Sequence, residues 1–104
     1  MADDGSDFEF LSPASFEWND EKRELNLAKH GIDFVEAKDI WANDVLEAPS
    51  PRYGEERFIA YGILDDRIVA VVFTRQGQRL RLISARRARD YERKAYKDAF
   101  GRGS

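Results

Sequence analysis

The sequence predicts an α+β domain in which helices pack on an antiparallel sheet, in the order β-α-α-β-β-β-α. Between residues 19 and 42, apolar side chains recur at spacings of three and four, which is typical of helices. From residue 57 the spacing changes to two, and two turn-forming stretches divide this segment into three strands. A last helical pattern runs to Phe100. With 104 residues and no internal repeat, the chain is expected to form one domain, over residues 15–100.

The chain begins with a predicted tail, a short strand and a helix. Residues 1–14 are acidic and rich in Asp, Ser and Gly, so we expect a flexible extension. A short strand is predicted over Ala14 to Trp18. Asn19 can cap a helix that runs to about His30, and Gly31 stands where a glycine commonly ends a helix.

Apolar residues in the two N-terminal helices define the faces that we expect to be buried. Leu25 and Ala28 would form the apolar stripe of the first helix. Asp33 would start the second helix, which ends near Ala42 and completes a helical hairpin. Residues 43–56 contain two prolines and a glycine and predict a long loop.

Three consecutive strands are predicted in the second half. The middle strand is apolar on both faces, which is typical of a central position in a sheet. The strands cover Arg57–Leu64, Arg67–Arg75 and Arg79–Ser84, and the turns between them lie at Asp65-Asp66 and Gln76-Gly77-Gln78.

The last strand is predicted to lead directly into the final helix. Ser84 stands where an N-cap would lie, so Arg86 and Arg87 would fall on the first helical turn. The helix would run from Arg87 to about Phe100, followed by a tail over residues 101–104. Its apolar stripe would consist of Ala88, Tyr91, Ala95 and Ala99, with Tyr96 and Phe100 beside it.

Charge is distributed unevenly along the chain. Residues 1–56 hold 15 acidic and 5 basic residues, whereas residues 57–104 hold 5 acidic and 12 basic residues. The first part therefore carries −10 and the second +7, which gives the net charge of −3. One strongly basic region can bind an anion locally, and the alternative is that the two parts neutralise each other across the fold.

The composition argues against a secreted or membrane protein and against a metal or cofactor site. The chain has no cysteine, no apolar run long enough to span a membrane and no N-terminal signal peptide, so we expect a cytoplasmic protein without membrane contact. A single histidine and the absence of a glycine-rich phosphate loop predict no metal site and no cofactor.

The remaining polar residues suit the cleavage of RNA without a metal. This reaction needs a base for the ribose 2′-OH, cations for the developing phosphorane charge, and an acid for the leaving oxygen. Suitable groups are Lys29, His30, Glu55, Glu56, Arg57, Arg79, Arg81, Ser84, Arg86, Arg87 and Tyr91. These residues also have purely structural interpretations. A cation such as His30 is stabilised at a helix C-terminus, Ser84 can cap a helix, and Arg79 and Arg81 can form the polar side of a sheet.

Several stretches resemble the BrnT family of toxins from type II toxin–antitoxin systems. The resemblance covers roughly residues 15–98 and is most specific near the two ends of the domain. The matching stretches are Phe16-Glu17-Trp18-Asn19, Lys29-His30-Gly31-Ile32-Asp33-Phe34, Glu56-Arg57, Tyr61-Gly62, Arg81-Leu82-Ile83-Ser84-Ala85-Arg86-Arg87-Ala88 and Glu92-Arg93.

The resemblance implies a RelE-like fold and a ribonuclease toxin that inhibits translation. It also implies a BrnA-type antitoxin that neutralises the toxin in a hetero-oligomer and through which operator DNA is bound. The catalytic candidates are Lys29, His30, Glu56, Arg81, Ser84 and Arg86, and the substrate-binding candidates are Arg57, Arg79, Arg87 and Tyr91.

Two hypotheses from different classes remain open. In the first, the protein is a metal-independent endoribonuclease, with Glu56 or His30 as base or acid and Arg57 orienting Glu56. In the second, it is a non-catalytic partner and co-repressor of a DNA-binding antitoxin. Departures from the family pattern, such as Asn19 in place of the usual Asp, leave open an enzyme of weakened activity.

Overall fold

The computed structural model describes residues 15–52 and 54–101, and they form a five-stranded sheet with three α-helices. The strands are β1 (Ser15–Glu17), β2 (Leu46–Pro49), β3 (Phe58–Leu64), β4 (Arg67–Gln76) and β5 (Arg79–Arg87). The helices are α1 (Asp20–His30), α2 (Phe34–Ala37) and α3 (Asp90–Phe100), and a 3₁₀ helix (Lys38–Ala42) extends α2. The predicted extension and all but Gly101 of the predicted tail lie outside the described residues.

The sheet is mixed rather than antiparallel throughout. Its strand order is β1-β5-β4-β3-β2; β3, β4 and β5 form the predicted antiparallel meander, and β2 pairs antiparallel with β3. However, β1 lies parallel to β5, with Phe16 opposite Leu80. Parallel pairing is possible here because the whole domain forms the connection between these two strands. The expectation of a purely antiparallel sheet was therefore wrong at this edge.

The predicted loop over residues 43–56 contains a strand. Pro49 pairs with Phe58 at one end of β2, and Leu46 pairs with Tyr61 at the other. Proline can occupy this position because β2 is the outer strand of the sheet, where a missing N–H costs no ladder bond. The observed order is consequently β-α-α-β-β-β-β-α.

The main core lies between one face of the sheet and the segment formed by α2 and the 3₁₀ helix. We call this face of the sheet the core face. It buries Phe73, Leu80 and Leu82 against Phe34 and Ile40. Gly62 is required on β3, because a Cβ atom there would come within 2.7 Å of the Ile40 Cβ.

The ends of α1 follow the predicted signals. The Asn19 side chain accepts a hydrogen bond from the Lys22 N–H at 3.0 Å, and Gly31 adopts φ of +73° beyond the last turn. The predicted apolar stripe was wrong, however, because Leu25 is 69% exposed and Ala28 is also exposed. The side chain that α1 buries is Asn26.

The start and the buried face of the last helix also differ from the prediction. Residues 84–87 continue β5, so Ser84 is a strand residue and neither Arg86 nor Arg87 lies on a helical turn. The helix begins at Asp90, and the Glu92 carboxylate accepts a hydrogen bond from the Arg89 N–H at 2.8 Å. Ala88 and Tyr96 are buried as expected, but Tyr91, Ala95 and Ala99 are exposed and the helix buries Glu92 instead.

None of the helices within residues 15–52 and 54–101 combines the length and apolar character needed to cross a membrane.

Candidate active site

A β-bulge in β5 determines which side chains share the face of the sheet opposite the core. Phe73 pairs with Leu82 but Val72 pairs with Ser84, so Ile83 is an extra residue in β5. Before the bulge, Arg79 and Arg81 alternate with buried leucines and point away from the core. Because one extra residue reverses the alternation, Ser84 and Arg86 emerge on the same face as Arg79 and Arg81. We call this surface the second face of the sheet.

Helix α1 lies along the free edge of β5 beyond the end of β1. The Asn26 Nδ2 donates to the carbonyl oxygens of Ile32 and Ala85, both at 2.9 Å. The Asn26 Oδ1 accepts from the Ala85 N–H at 3.0 Å. The amide thus satisfies both backbone groups of Ala85, as a neighbouring strand would. This contact fixes the C-terminal half of α1 beside Ser84.

A groove of about 250 Å³ opens between α1 and β5 beside this contact. Lys29 and His30 line it from the end of α1, and Ser84 lines it from β5. These three predicted site residues are therefore brought together. The groove is completed by Lys22, Leu25, Asn26 and Ile83.

The environment of His30 favours its neutral form. Partial burial lowers the pKa of the imidazole below its ordinary value, and the positive charges of Lys29 and Arg86 lower it further. An imidazole that is neutral at pH 7 can accept a proton. The groove therefore combines a potential base with positive charge from Lys22 and Lys29.

Arg86 is held by an ion pair that the sequence did not predict. Its guanidinium donates two hydrogen bonds, of 2.8 and 3.0 Å, to the carboxylate of Glu92, which is 2% exposed. The Tyr61 hydroxyl donates to the same carboxylate at 3.3 Å. Although burial alone would raise it, the pKa of Glu92 is lowered by the hydrogen bonds from Arg86 and from the Arg89 N–H. The charge of Arg86 is thus locally compensated and its position fixed.

Arg79 and Arg81 lie on the second face and share one acidic partner. Glu17 of β1 is 3.3 Å from the Arg81 guanidinium and 4.0 Å from that of Arg79. The side chains of Arg81 and Arg79 are 46% and 56% exposed, so these pairs are in contact with solvent. Exposed pairs of this kind contribute little to stability and exchange readily with other ligands. Both arginines are therefore accessible to an anion.

The other predicted site residues lie apart from the groove. Arg57 precedes β3 and pairs with Glu55 at 2.7 Å rather than with Glu56, which is exposed. Arg87 points to the opposite side of the sheet from Arg86, because the two are consecutive in a strand. Tyr91 is 66% exposed at the start of α3. Within the described part of the chain, no hydrogen bond or ion pair joins any of these side chains to His30.

Sequence reasoning missed several residues that position this region. Asn26 carried no distinguishing signal, because it is one of many polar residues in α1 and lies off the stripe expected at Leu25 and Ala28. Glu92 did carry one, because an acid three residues after a cap position can bond back to the cap N–H. Glu17 carried no local signal, because its partners lie more than sixty residues later. Within the described part of the chain, no three His, Cys, Asp or Glu side chains cluster to hold a metal ion.

Comparison with known proteins identifies the family. The family described as "Ribonuclease toxin, BrnT, of type II toxin-antitoxin system" matches residues 18–92. The chain belongs to the BrnT family. The match spans both walls of the groove and the Arg86–Glu92 pair.

A solved structure supports the same assignment. The chain is similar to the crystal structure of the Brucella abortus ribonuclease toxin BrnT, with 29% sequence identity and a TM-score of 0.55. The alignment covers 73% of this chain and 97% of the Brucella chain. A search of curated proteins found no match. The α+β architecture and the family are therefore established together.

Proposed function

We propose that this BrnT-family protein is an endoribonuclease that cleaves RNA without a metal ion in the groove between α1 and β5. The observation that carries the proposal is the position of His30, whose depressed pKa keeps it neutral beside Lys22, Lys29 and Ser84. A neutral imidazole takes the proton from a ribose 2′-OH, and the 2′-oxygen attacks the adjacent phosphorus. The products are a 2′,3′-cyclic phosphate and a free 5′-hydroxyl.

The positive side chains around His30 have distinct roles in this proposal. Lys29 lies beside His30 and stabilises charge on the phosphorane, and its ammonium group is a proton donor for the leaving 5′-oxygen. Arg81 contacts phosphate on the second face after exchanging its exposed pair with Glu17. Arg86 adds to the low pKa of His30, which is caused first by partial burial and then by the charge of Lys29.

In the cell, we propose that this activity inhibits translation and that a BrnA-type antitoxin neutralises it in a hetero-oligomer. Operator DNA is then contacted through the antitoxin only, and the complex acts in the cytoplasm. We also propose that the fold is RelE-like. Family membership supports these statements, because a type II toxin is defined by a protein antitoxin that binds it.

Cleavage of a defined RNA by the purified protein in EDTA tests the proposal. We expect products that end in a 2′,3′-cyclic phosphate. His30→Ala is expected to reduce the rate by about 10²- to 10⁴-fold, and Arg81→Ala by about 10²-fold. Lys38→Ala is the matched control, because Lys38 pairs with Asp39 on the 3₁₀ helix and does not line the groove.

The alternative is a non-catalytic partner of a DNA-binding antitoxin. One observation favours it: Arg79, Arg81 and Arg86 already have acidic partners in the isolated chain. Intact RNA after incubation with well-folded wild-type protein, together with tight binding to an antitoxin, would support this alternative and refute the ribonuclease.

A further inference from the structure

A second basic groove lies beside the C-terminal end of β5, where the start of β4 and one face of α3 also line it. It has a volume of about 290 Å³. Its lining is formed by Asp66, Arg67, Ile68, Arg87, Arg93 and Lys97. Four of these six residues are cationic and one is acidic. The cluster is not part of the proposed cleavage groove, with which it shares no lining residue.

The backbone holds these cations in place. Arg87 pairs with Val69 across β4 and β5, and Arg67 lies two residues before Val69, so both arginines point to the same side of the sheet. The Ala88 N–H donates to the Ile68 carbonyl oxygen at 3.0 Å, which fixes the chain where it turns from β5 toward α3. Arg93 and Lys97 are four residues apart on α3 and therefore share one face of the helix.

Most of this positive charge is uncompensated. Arg67, Arg87 and Lys97 form no ion pair with the described residues. Arg93 bonds to the Ala88 carbonyl oxygen at 2.7 Å and pairs with Asp90, so its guanidinium is held at the rim. By contrast, the arginines of the second face have acidic partners. Unpaired cations around one groove repel each other, and an anion would relieve that repulsion.

We propose that this groove binds backbone phosphates of single-stranded RNA outside the cleavage site. The proposal rests on the proposed ribonuclease function and adds a site that holds the substrate. Arg86 and Arg87 are consecutive and point to opposite sides of the sheet, so the second face and this groove adjoin at the end of β5. A nucleic acid strand can follow such a track, as in other proteins that bind single strands through positive grooves.

The composition of the groove favours RNA over an acidic protein. Protein interfaces derive most of their affinity from buried aromatic and apolar anchors. Ile68 is the single apolar residue in the lining, and no aromatic side chain contributes to it. Guanidinium groups bind phosphate through two parallel hydrogen bonds, and three arginines line the groove.

The test measures binding of a 2′-O-methyl RNA oligonucleotide, which has no 2′-OH and so cannot be cleaved by the proposed route. The variant Arg67→Gln/Lys97→Gln is compared with wild type over a range of salt concentrations. The control Lys38→Gln/Lys94→Gln removes the same charge from residues that do not line either groove. Melting temperatures establish that each variant is folded.

Loss of two phosphate contacts predicts a defined change in salt dependence. Each contact to a single strand contributes about 0.7 to the slope of log K against log salt, so we expect the slope to fall by about 1.4. At 0.1 M salt this corresponds to about 25-fold weaker binding. The control is expected to bind like wild type. Equal affinity and slope for Arg67→Gln/Lys97→Gln and the control would overturn the proposal.

Two further outcomes separate this proposal from its competitors. If the double variant loses affinity for a polyglutamate peptide while it binds RNA like the control, the groove serves an acidic protein and the RNA proposal is wrong. Cleavage of unmodified RNA is measured separately. A wild-type protein that binds RNA through this groove but does not cleave it would refute the proposed ribonuclease while supporting the binding site.

Discussion

Replacing Asn26 with alanine is expected to destabilise the domain strongly. Asn26 is 7% exposed and makes three hydrogen bonds of 2.9–3.0 Å to the backbone of Ile32 and Ala85. In Asn26→Ala, the N–H and carbonyl groups of Ala85 lose their partner inside a buried contact. Leaving a buried polar group unsatisfied costs about 1–3 kcal/mol. Two such groups at about 2 kcal/mol each predict a loss of about 4 kcal/mol.

This loss is large compared with the total stability of a small domain, which is about 5–15 kcal/mol. A domain of this size shifts its Tm by about 4–8 °C per kcal/mol, so the Tm should fall by about 15–30 °C. Urea unfolding followed by circular dichroism gives the free energy of unfolding. Hydrogen exchange at the Ala85 amide should accelerate, because this amide loses its acceptor.

Two asparagines provide graded controls for the same substitution. Asn19→Ala removes the cap of α1 and should cost about 1 kcal/mol. Asn43 is exposed and its side chain makes no hydrogen bond with the described residues, so Asn43→Ala should change stability by less than about 0.5 kcal/mol. If Asn26→Ala costs no more than Asn19→Ala, the idea that Asn26 takes the place of a neighbouring strand is wrong.

Three other perturbations test the ion pair, the candidate base and the core. Because the pKa of Glu92 is depressed on folding, its contribution to stability is present above the pKa of the unfolded carboxyl and is lost as the pH falls through the lower folded value. A Glu92→Gln protein should lose about 3 kcal/mol at pH 7 and show a flatter acid limb than wild type in plots of Tm against pH. For cleavage, the acid limb of kcat/KM should lie below the ordinary histidine pKa of about 6.5. Lys29→Gln should move this limb to higher pH, because a positive charge next to His30 is removed. If the limb does not move, His30 is not the group that titrates there. Gly62→Ala should lower the free energy of unfolding in urea by about 1–3 kcal/mol, because the new Cβ would overlap Ile40. The comparison is Gly77→Ala, where the new Cβ would meet open space. There the φ of +63° predicts a loss of about 1 kcal/mol from backbone strain alone.

Local signals predicted both ends of α1 and the turn between β3 and β4 well. Asn19 and Gly31 bound α1 as expected, because caps depend on residues within one turn. The Asp65-Asp66 turn was also confirmed, and both residues adopt positive φ, of 53° and 66°. This conformation suits aspartate better than most residues, and it matches the twist of the adjoining strands.

Errors arose where a distant part of the chain decides the outcome. Leu25 has the helical spacing of a core residue, but α1 packs against the edge of a strand rather than on its face. A strand edge exposes N–H and carbonyl groups, so the residue buried there must be polar. Sequence periodicity cannot separate these two kinds of packing, because it reports only which side of a helix is apolar.

The bulge at Ile83 explains why only part of the candidate site was predicted. The prediction ended the strand at Ser84 because serine suits an N-cap. The extra residue instead lets the strand continue to Arg87 and brings Ser84 and Arg86 to the second face. The residue types were predicted from chemistry and family resemblance. The shared face of Arg79, Arg81, Ser84 and Arg86 follows from the bulge, which has no local sequence signal in this chain.

The parallel pairing of β1 with β5 has a consequence for the order in which the protein acquires its shape during synthesis. Hydrogen bonds join Glu17 to Arg81 and Asn26 to Ala85, across sequence separations of 64 and 59 residues. The first strand and α1 therefore remain without their partner until nearly the whole chain has left the ribosome. The groove beside His30 has only one wall until Ser84 is in place. A truncated product that ends before β5 would lack one wall of this groove, so the proposed cleavage requires a chain that extends through β5.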